Sequence, residues 1–177
     1  MKRKSAVLVG LLIVLVCLPA FWGYWWRCGQ PATTLLIVRH ADRQGSADAL
    51  SDLGVQRAQE LIHVGERAGV VAIYRSNTIR ARDTAAPLAS ALGLTPVEYV
   101  AGETGPLAAS ILADHRGESV LVVGHSNTVP QIIAAAGGPA VADIPDTEFD
   151  NLFVLTVCRC RRGPATLVNL QYGAPSP

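Results

Sequence analysis

The chain has 177 residues, a hydrophobic fraction of 50% and a formal net charge of +1. These averages combine two unlike parts, because residues 6–26 carry no charge, whereas residues 31–177 hold 11 Arg, no Lys and all 14 acidic residues. The second part has a net charge of −3 and therefore offers no basic surface of the kind that nucleic-acid-binding domains use. Its length is sufficient for one domain with a single core.

An uncharged run near the amino terminus predicts a transmembrane helix. Residues 6–26 are long enough to cross a bilayer core of roughly 30 Å. Three positive charges precede the run, and Trp and Tyr side chains cluster at its far end, which is typical of a cytoplasmic amino terminus and an outer interface. The predicted organisation is a cytoplasmic tail (1–5), a transmembrane signal-anchor in the cell (inner) membrane (6–26), a linker (27–33) and an extracytoplasmic domain (34–177).

A cleaved signal peptide is the alternative interpretation of this segment. The run is longer than the roughly 7–15 apolar residues of a usual signal peptide, and no A-x-A-like cleavage site follows it. These two features favour the anchor.

The four cysteines do not indicate a disulfide framework or a metal centre. Cys17 lies within the apolar run and Cys28 lies just beyond it. Cys158 and Cys160 are separated by one residue on a predicted strand, where a disulfide between them would be strained. No histidine lies nearby in sequence to complete a metal site. We expect Cys158 and Cys160 to be small, partly buried side chains.

Apolar runs alternate with helical patterns from residue 34 onward, which predicts a mostly parallel sheet covered on both faces. We expect a three-layer α/β/α sandwich of about six strands that ends in an antiparallel hairpin. The predicted strands span residues 34–39, 70–74, 95–100, 119–123, 151–159 and 165–172. The predicted helices span residues 51–69, 78–92, 105–115 and 128–136.

Polar residues of one chemical kind follow three of these strands. Arg39 and His40 end the first strand, Ser76 and Arg80 follow the second, and His125 follows the fourth. Because the carboxyl ends of parallel strands meet at one edge of a sheet, these side chains should converge. Arginine binds phosphate oxygens bidentately, and helix amino termini add partial positive charge. The pattern predicts a phosphoryl-transfer site, where one histidine attacks phosphorus and the other stabilises the equatorial oxygens.

Three segments resemble the histidine phosphatase superfamily, which includes the cofactor-dependent phosphoglycerate mutases. LLIVRHA is similar to the family's Arg-His-Gly signature, SNTIRARDTA to its Ser-x-x-x-Arg-Ala-x-x-Thr-Ala segment, and VLVVGHS to its Gly-His strand end. The resemblance implies a phosphoglycerate mutase-like fold. It further implies that His40 is the phosphorylated nucleophile, that Arg39 and Arg80 hold the phosphate, and that His125 completes the pocket. We expect no metal ion and no cofactor.

The family also uses a carboxylic acid, normally placed after the third strand, to protonate the leaving oxygen. Glu103 has that position and is the candidate, because a phosphate monoester has a poor leaving group. Glu98, within the strand, is a weaker candidate, and Asp42, close to His40, stays open. Arg43 is either a second phosphate contact or an ordinary loop charge.

Departures from the family pattern favour a phosphatase over a mutase. Ala41 replaces the signature glycine, and residues 42–44 replace the Thr and Asn that mutases have there. The long insertion that many relatives use as a substrate lid is absent from the sequence. The motifs R-H-A-D-R and S-N-T-x-R in a small exported chain are similar to those of lipopolysaccharide core heptose phosphate phosphatases.

The expected function is that of a membrane-anchored phosphoric monoester hydrolase of the histidine acid type. Its substrate would be a small phosphorylated molecule such as an envelope phospho-sugar or a related metabolite. Two alternatives remain open at this point: a catalytically inactive module that binds a phosphorylated ligand, and a phosphohistidine protein phosphatase. The predicted export disfavours the second, because the partners of such phosphatases are usually cytoplasmic.

Overall fold

The computed structural model describes residues 31–158 and 165–176. The predicted transmembrane segment 6–26, Cys160 and the turn of the predicted terminal hairpin lie outside these residues. Within the described ranges, no helix is long and apolar enough to cross a membrane. Cys158 is half-buried and forms no disulfide with a described residue.

The described residues form a mixed six-stranded sheet with four helices, as predicted for the α/β domain. The strands, in chain order, are β1 (Thr33–Arg39), β2 (Val70–Ser76), β3 (Val97–Tyr99), β4 (Ser119–Gly124), β5 (Asn151–Val157) and β6 (Thr166–Gln171). The helices are α1 (Asp52–Ala68), α2 (Ile79–Leu92), α3 (Thr104–Asp114) and α4 (Thr128–Ala135). The strand order is β3-β2-β4-β1-β5-β6. Strands β3, β2, β4 and β1 are parallel to one another. Strand β5 is antiparallel to both of its neighbours, β1 and β6.

The central strand β1 is buried on both faces, which explains its unbroken apolar sequence. Leu35 and Ile37 pack into a cluster with residues of α3 and α4. Leu36 and Val38 face the opposite way and pack with residues of α1 and α2. Side chains alternate between the faces of a strand, so a run of consecutive apolar residues serves two cores at once. The sheet therefore lies between two helix layers.

Only two residues separate the end of β2 from the start of α2, and the second of them, Thr78, caps the helix. The Thr78 hydroxyl accepts a hydrogen bond from the backbone N–H of Ala81, which satisfies one of the free donors of the first turn. At the other end, Gly93 takes the left-handed conformation at φ 66° and stops the helix. The short connection holds the first turn of α2, and Arg80 with it, at the edge of the sheet.

A buried ion pair joins three distant parts of the domain. Arg57, on α1, donates from Nε to Asp42 Oδ2 at 2.6 Å. Its Nη1 donates to the carbonyl oxygens of Tyr172 and Ala174 at 2.9 and 2.7 Å. The Arg57 side chain is 0% exposed. These bonds connect the loop after β1 to the carboxyl-terminal segment and commit Asp42 to a structural contact.

Candidate active site

The ends of β1 and β4 bring two histidines together. The two strands are neighbours, and Arg39 lies opposite Gly124 in their register. The backbone N–H of His40 donates to the carbonyl oxygen of Gly124 at 2.9 Å, which extends the pairing by one residue. The ring centroids of His40 and His125 are consequently 5.4 Å apart in an edge-to-face arrangement.

A cavity of about 560 Å³ opens at this edge of the sheet. The predicted residues that line it are Arg39, His40, Arg43, Arg80 and His125. The structure thus brings together every residue predicted for phosphate binding. It does not bring Glu103 to the cavity: this residue is exposed just before α3 and is not among the lining residues, although Ala101 and Gly102 are.

The His40 imidazole is held with one nitrogen free for attack. Its Nδ1 lies 2.8 Å from the carbonyl oxygen of Ala41, which can only accept, so Nδ1 carries the proton and Nε2 keeps its lone pair. Burial, together with the nearby Arg80 and Arg39 charges, lowers the pKa of His40 to about 3. The ring is therefore neutral near pH 7 and can act as a nucleophile.

Thr84 connects the nucleophile to helix α2. The backbone N–H of Ala41 donates to the Thr84 hydroxyl at 2.9 Å, and that hydroxyl donates to the carbonyl oxygen of Arg80 at 2.7 Å. Ala41 itself is fully buried. The chain immediately after His40 is therefore fixed to the helix that carries Arg80.

His125 is oriented by the end of β2. Its Nε2 lies 2.8 Å from the Ser76 hydroxyl, and its Nδ1 lies 3.4 Å from Arg80 Nη2. Because a guanidinium can only donate, Nδ1 is the accepting nitrogen of the neutral ring, and Nε2 carries the hydrogen. Burial, with the Arg80 and Arg39 charges, lowers the pKa of His125 to about 4. The Nδ1 atom of His125 therefore faces the Arg80 guanidinium, which is expected to bind phosphate.

The segment that precedes β5 holds Arg39 in place. Arg39 Nη1 donates to the carbonyl oxygens of Pro145 and Glu148 at 2.8 and 3.0 Å. Its guanidinium carbon lies 4.1 Å from the centre of the Phe149 ring, a cation–π contact. Asp146 Oδ1 is 3.5 Å from Nη2. These contacts leave the guanidinium little freedom, which favours a fixed phosphate-binding geometry.

Asp48 orients the second arginine. Its carboxylate accepts hydrogen bonds from the backbone N–H groups of Ile79 and Arg80 at 3.0 and 3.1 Å, and from Arg80 Nη1 at 3.0 Å. The backbone hydrogen bonds at the start of α2 lower the pKa of this carboxyl. Asp48 therefore stays charged and holds the guanidinium of Arg80, which lines the cavity.

Both arginines carry a buried donor without a partner in the described part of the chain. Arg39 Nε and Arg80 Nε are buried and have no hydrogen-bond partner among the described residues. A buried donor without a partner costs free energy that an oxygen acceptor would recover. Phosphate oxygens accept such bonds from guanidinium groups. The two guanidinium groups and the two imidazoles that line the cavity together suit a phosphoryl group.

The residues that support the arginines were not predicted from the sequence. Asp48, Asp146 and Phe149 lie in loops whose sequences show no periodic pattern, and each contacts an arginine at least 32 positions away. Thr84 is part of the segment that resembles the family, so its position could have been singled out there. No local signal indicated the other three.

The comparisons with known proteins agree with this geometry. The sequence profile of the histidine phosphatase superfamily (branch 1) matches residues 35–103, a range that contains Arg39, His40 and Arg80. Over that range, the chain is similar to the histidine phosphatase superfamily. The fold and the arrangement of strand ends are thus those of a phosphoglycerate mutase-like domain, and members of this superfamily are phosphatases and mutases.

Several solved structures share the fold. The protein histidine phosphatase SixA, complexed with tungstate, is 20% identical with a TM-score of 0.61, over 78% of this chain and 96% of its own. A mycobacterial glucosyl-3-phosphoglycerate phosphatase is 16% identical with a TM-score of 0.58, over 81% and 99%. Bacillus stearothermophilus YhfR is 22% identical with a TM-score of 0.55, over 77% and 96%. No functionally curated sequence matches significantly.

Proposed function

We propose that this chain is a histidine phosphatase superfamily member and that it hydrolyses phosphate monoesters through a phosphohistidine on His40. The observation that carries the proposal is the state of His40: a neutral imidazole whose Nδ1 is bound to the Ala41 carbonyl and whose Nε2 is free, in a cavity that three arginines line. A free imidazole nitrogen beside fixed positive charge is the arrangement that nucleophilic attack on a phosphate dianion requires.

The reaction has two steps. In the first, His40 Nε2 forms a bond to phosphorus while the ester P–O bond breaks, and Arg39 and Arg80 bind the equatorial oxygens. In the second, water attacks phosphorus, the P–N bond breaks, and inorganic phosphate leaves. Most of the rate acceleration is expected from donors that are already in place, because the transition state gathers charge on the equatorial oxygens.

The substrate is proposed to be a small phosphorylated compound, such as an envelope phospho-sugar or a related metabolite. A cavity of about 560 Å³ is large enough for a molecule of that size. The absence of the mutase residues after His40 supports hydrolysis over phosphoryl transfer to a second substrate. Phosphohistidine hydrolysis is the second candidate, because SixA, a protein histidine phosphatase, shares the fold over most of both chains.

The domain is proposed to lie outside the cytoplasm, anchored by residues 6–26. The support is the sequence alone: an uncharged run of 21 residues preceded by three basic residues. A phosphatase reporter fused after residue 177 is expected to be active, because alkaline phosphatase folds only in an oxidising compartment. An inactive reporter, with an active cytoplasmic reporter at the same position, would reverse the orientation and favour the phosphohistidine candidate.

Turnover of 4-nitrophenyl phosphate by the purified full chain tests the proposed activity. Because the His40 pKa is lowered to about 3, the nucleophile stays unprotonated in mild acid. We expect kcat/KM, corrected for ionisation of the substrate, not to fall between about pH 7 and pH 5. A loss of about tenfold per pH unit below about pH 6.5 would mean that a histidine of ordinary pKa carries the reaction.

A further inference from the structure

The proposed reaction needs a proton donor that the predicted residue does not supply. An alkoxide is a poor leaving group, so a positioned acid that protonates the ester oxygen is worth about 10²–10⁴-fold in rate. Glu103 was predicted for this role from the family pattern. Its side chain is exposed, and it is not among the residues that line the cavity.

Two other carboxyl groups near the site already accept hydrogen bonds from other residues. Asp42 is bound through both oxygens to Arg57, at 2.6 and 3.4 Å, on the side of the loop that faces α1. Asp48 accepts three hydrogen bonds from Ile79 and Arg80, which hold it in its charged form. Neither lines the cavity. A carboxylate held ionised by such donors is a poor acid.

His125 is also unsuited to donate the proton. With a pKa lowered to about 4 it is neutral near pH 7. Its single N–H, on Nε2, lies against the Ser76 hydroxyl at 2.8 Å, and its Nδ1 is the accepting nitrogen that faces Arg80. The ring can therefore accept a hydrogen bond in the cavity but has no proton directed into it.

Asp146 is the one carboxyl group among the described residues that line the cavity. Its Oδ1 makes a single long contact, 3.5 Å, with Arg39 Nη2, and its Oδ2 has no described partner. The side chain is 79% exposed, so this pair is weak and screened by solvent. The backbone on either side is fixed, because the carbonyl oxygens of Pro145 and Glu148 bind Arg39 Nη1.

We propose that Asp146 is the general acid of this phosphatase. The carboxyl group is held beside the arginine that binds the phosphate, with one oxygen free to reach the leaving group. The inference rests on the proposed function, and it places the acid before β5 instead of after β3.

With Asp146 as the acid, the proton given up in the first step is recovered in the second. As His40 Nε2 bonds to phosphorus and the P–O ester bond breaks, the Asp146 proton passes to the leaving oxygen, and an alcohol departs. As water attacks the phosphohistidine and the P–N bond breaks, the Asp146 carboxylate takes a proton from that water. Phosphate leaves, and the carboxyl is protonated again for the next cycle.

The dependence of rate on the leaving group tests the proposal. Phenyl phosphate needs protonation at its oxygen, whereas 2,4-dinitrophenyl phosphate has a stable leaving anion and does not. For Asp146→Asn in the full chain, we expect kcat/KM to fall by about 100-fold with phenyl phosphate and by less than about threefold with the dinitrophenyl ester. Asp143→Asn removes another exposed carboxyl of the same loop and is expected to change both values by less than about twofold.

Two results would overturn the assignment. An equal loss with both esters would mean that Asp146 acts only by holding Arg39. A selective loss in Glu103→Gln, with none in Asp146→Asn, would return the role to Glu103. A different result, no hydrolysis of either ester by the wild-type chain, would mean that the proposed function itself is wrong. Retained turnover of the dinitrophenyl ester by Asp146→Asn would show that the nucleophile works without this acid.

Discussion

His40→Ala is expected to lower kcat for 4-nitrophenyl phosphate by at least about 10³-fold. The substitution removes the Nε2 lone pair that the Ala41 carbonyl holds in position, and no other neutral imidazole in the cavity has a free nitrogen beside both arginines. Steady-state turnover of the full-length variant measures the loss. A phosphate binding measurement on the same sample should still detect binding, because Arg39 and Arg80 are unchanged.

His63→Ala is the matched control for this variant. His63 lies on α1, exposed and outside the cavity, so its loss is expected to change kcat by less than about twofold. A His40→Ala variant that keeps activity within about tenfold of the wild type would place the nucleophile elsewhere.

Arg57→Ala is expected to lower the free energy of unfolding by roughly 3–5 kcal/mol. The change leaves Asp42 charged and buried without its partner, and it removes the two bonds that hold the carbonyl oxygens of Tyr172 and Ala174. Chemical denaturation followed by circular dichroism gives the value. Because Asp42 lies two residues after His40, loss of the pair should also weaken activity at temperatures well below the unfolding midpoint.

Arg67→Ala tests whether this effect belongs to the buried pair. Arg67 is exposed in the last turn of the same helix, so its replacement is expected to cost less than about 1 kcal/mol. A cost of that small size for Arg57→Ala as well would show that the Arg57–Asp42 pair contributes little to the stability of the domain.

The fold was predictable because its signals are local. The consecutive apolar residues of β1 indicate a strand buried on both faces, and Thr78 and Gly93 mark the ends of α2 within a few positions of the residues they cap. The site residues were predictable for a related reason. Arg39 and His125 follow strand ends, and the parallel order of the strands brings those ends to one edge.

The supports of the site were not predictable, because they depend on loops that meet only in the folded chain. Asp146 and Phe149 reach Arg39 across more than 100 positions, and nothing in their local sequence distinguishes them from other loop residues. The family pattern directed attention to Glu103, after β3. The structure places the lining carboxyl in the segment before β5 instead, and only a three-dimensional arrangement could reveal that difference.

Trapping the phosphorylated chain tests the central claim most directly. The full-length protein is mixed with a monoester that carries labelled phosphate, denatured within the first turnovers under alkaline conditions and digested, and the labelled peptide is identified by mass spectrometry. The account predicts label on His40 of the wild type, approaching one phosphoryl group per chain, and none in His40→Ala. Rapid hydrolysis of the ester with no labelled peptide, or with label on another residue, would contradict it.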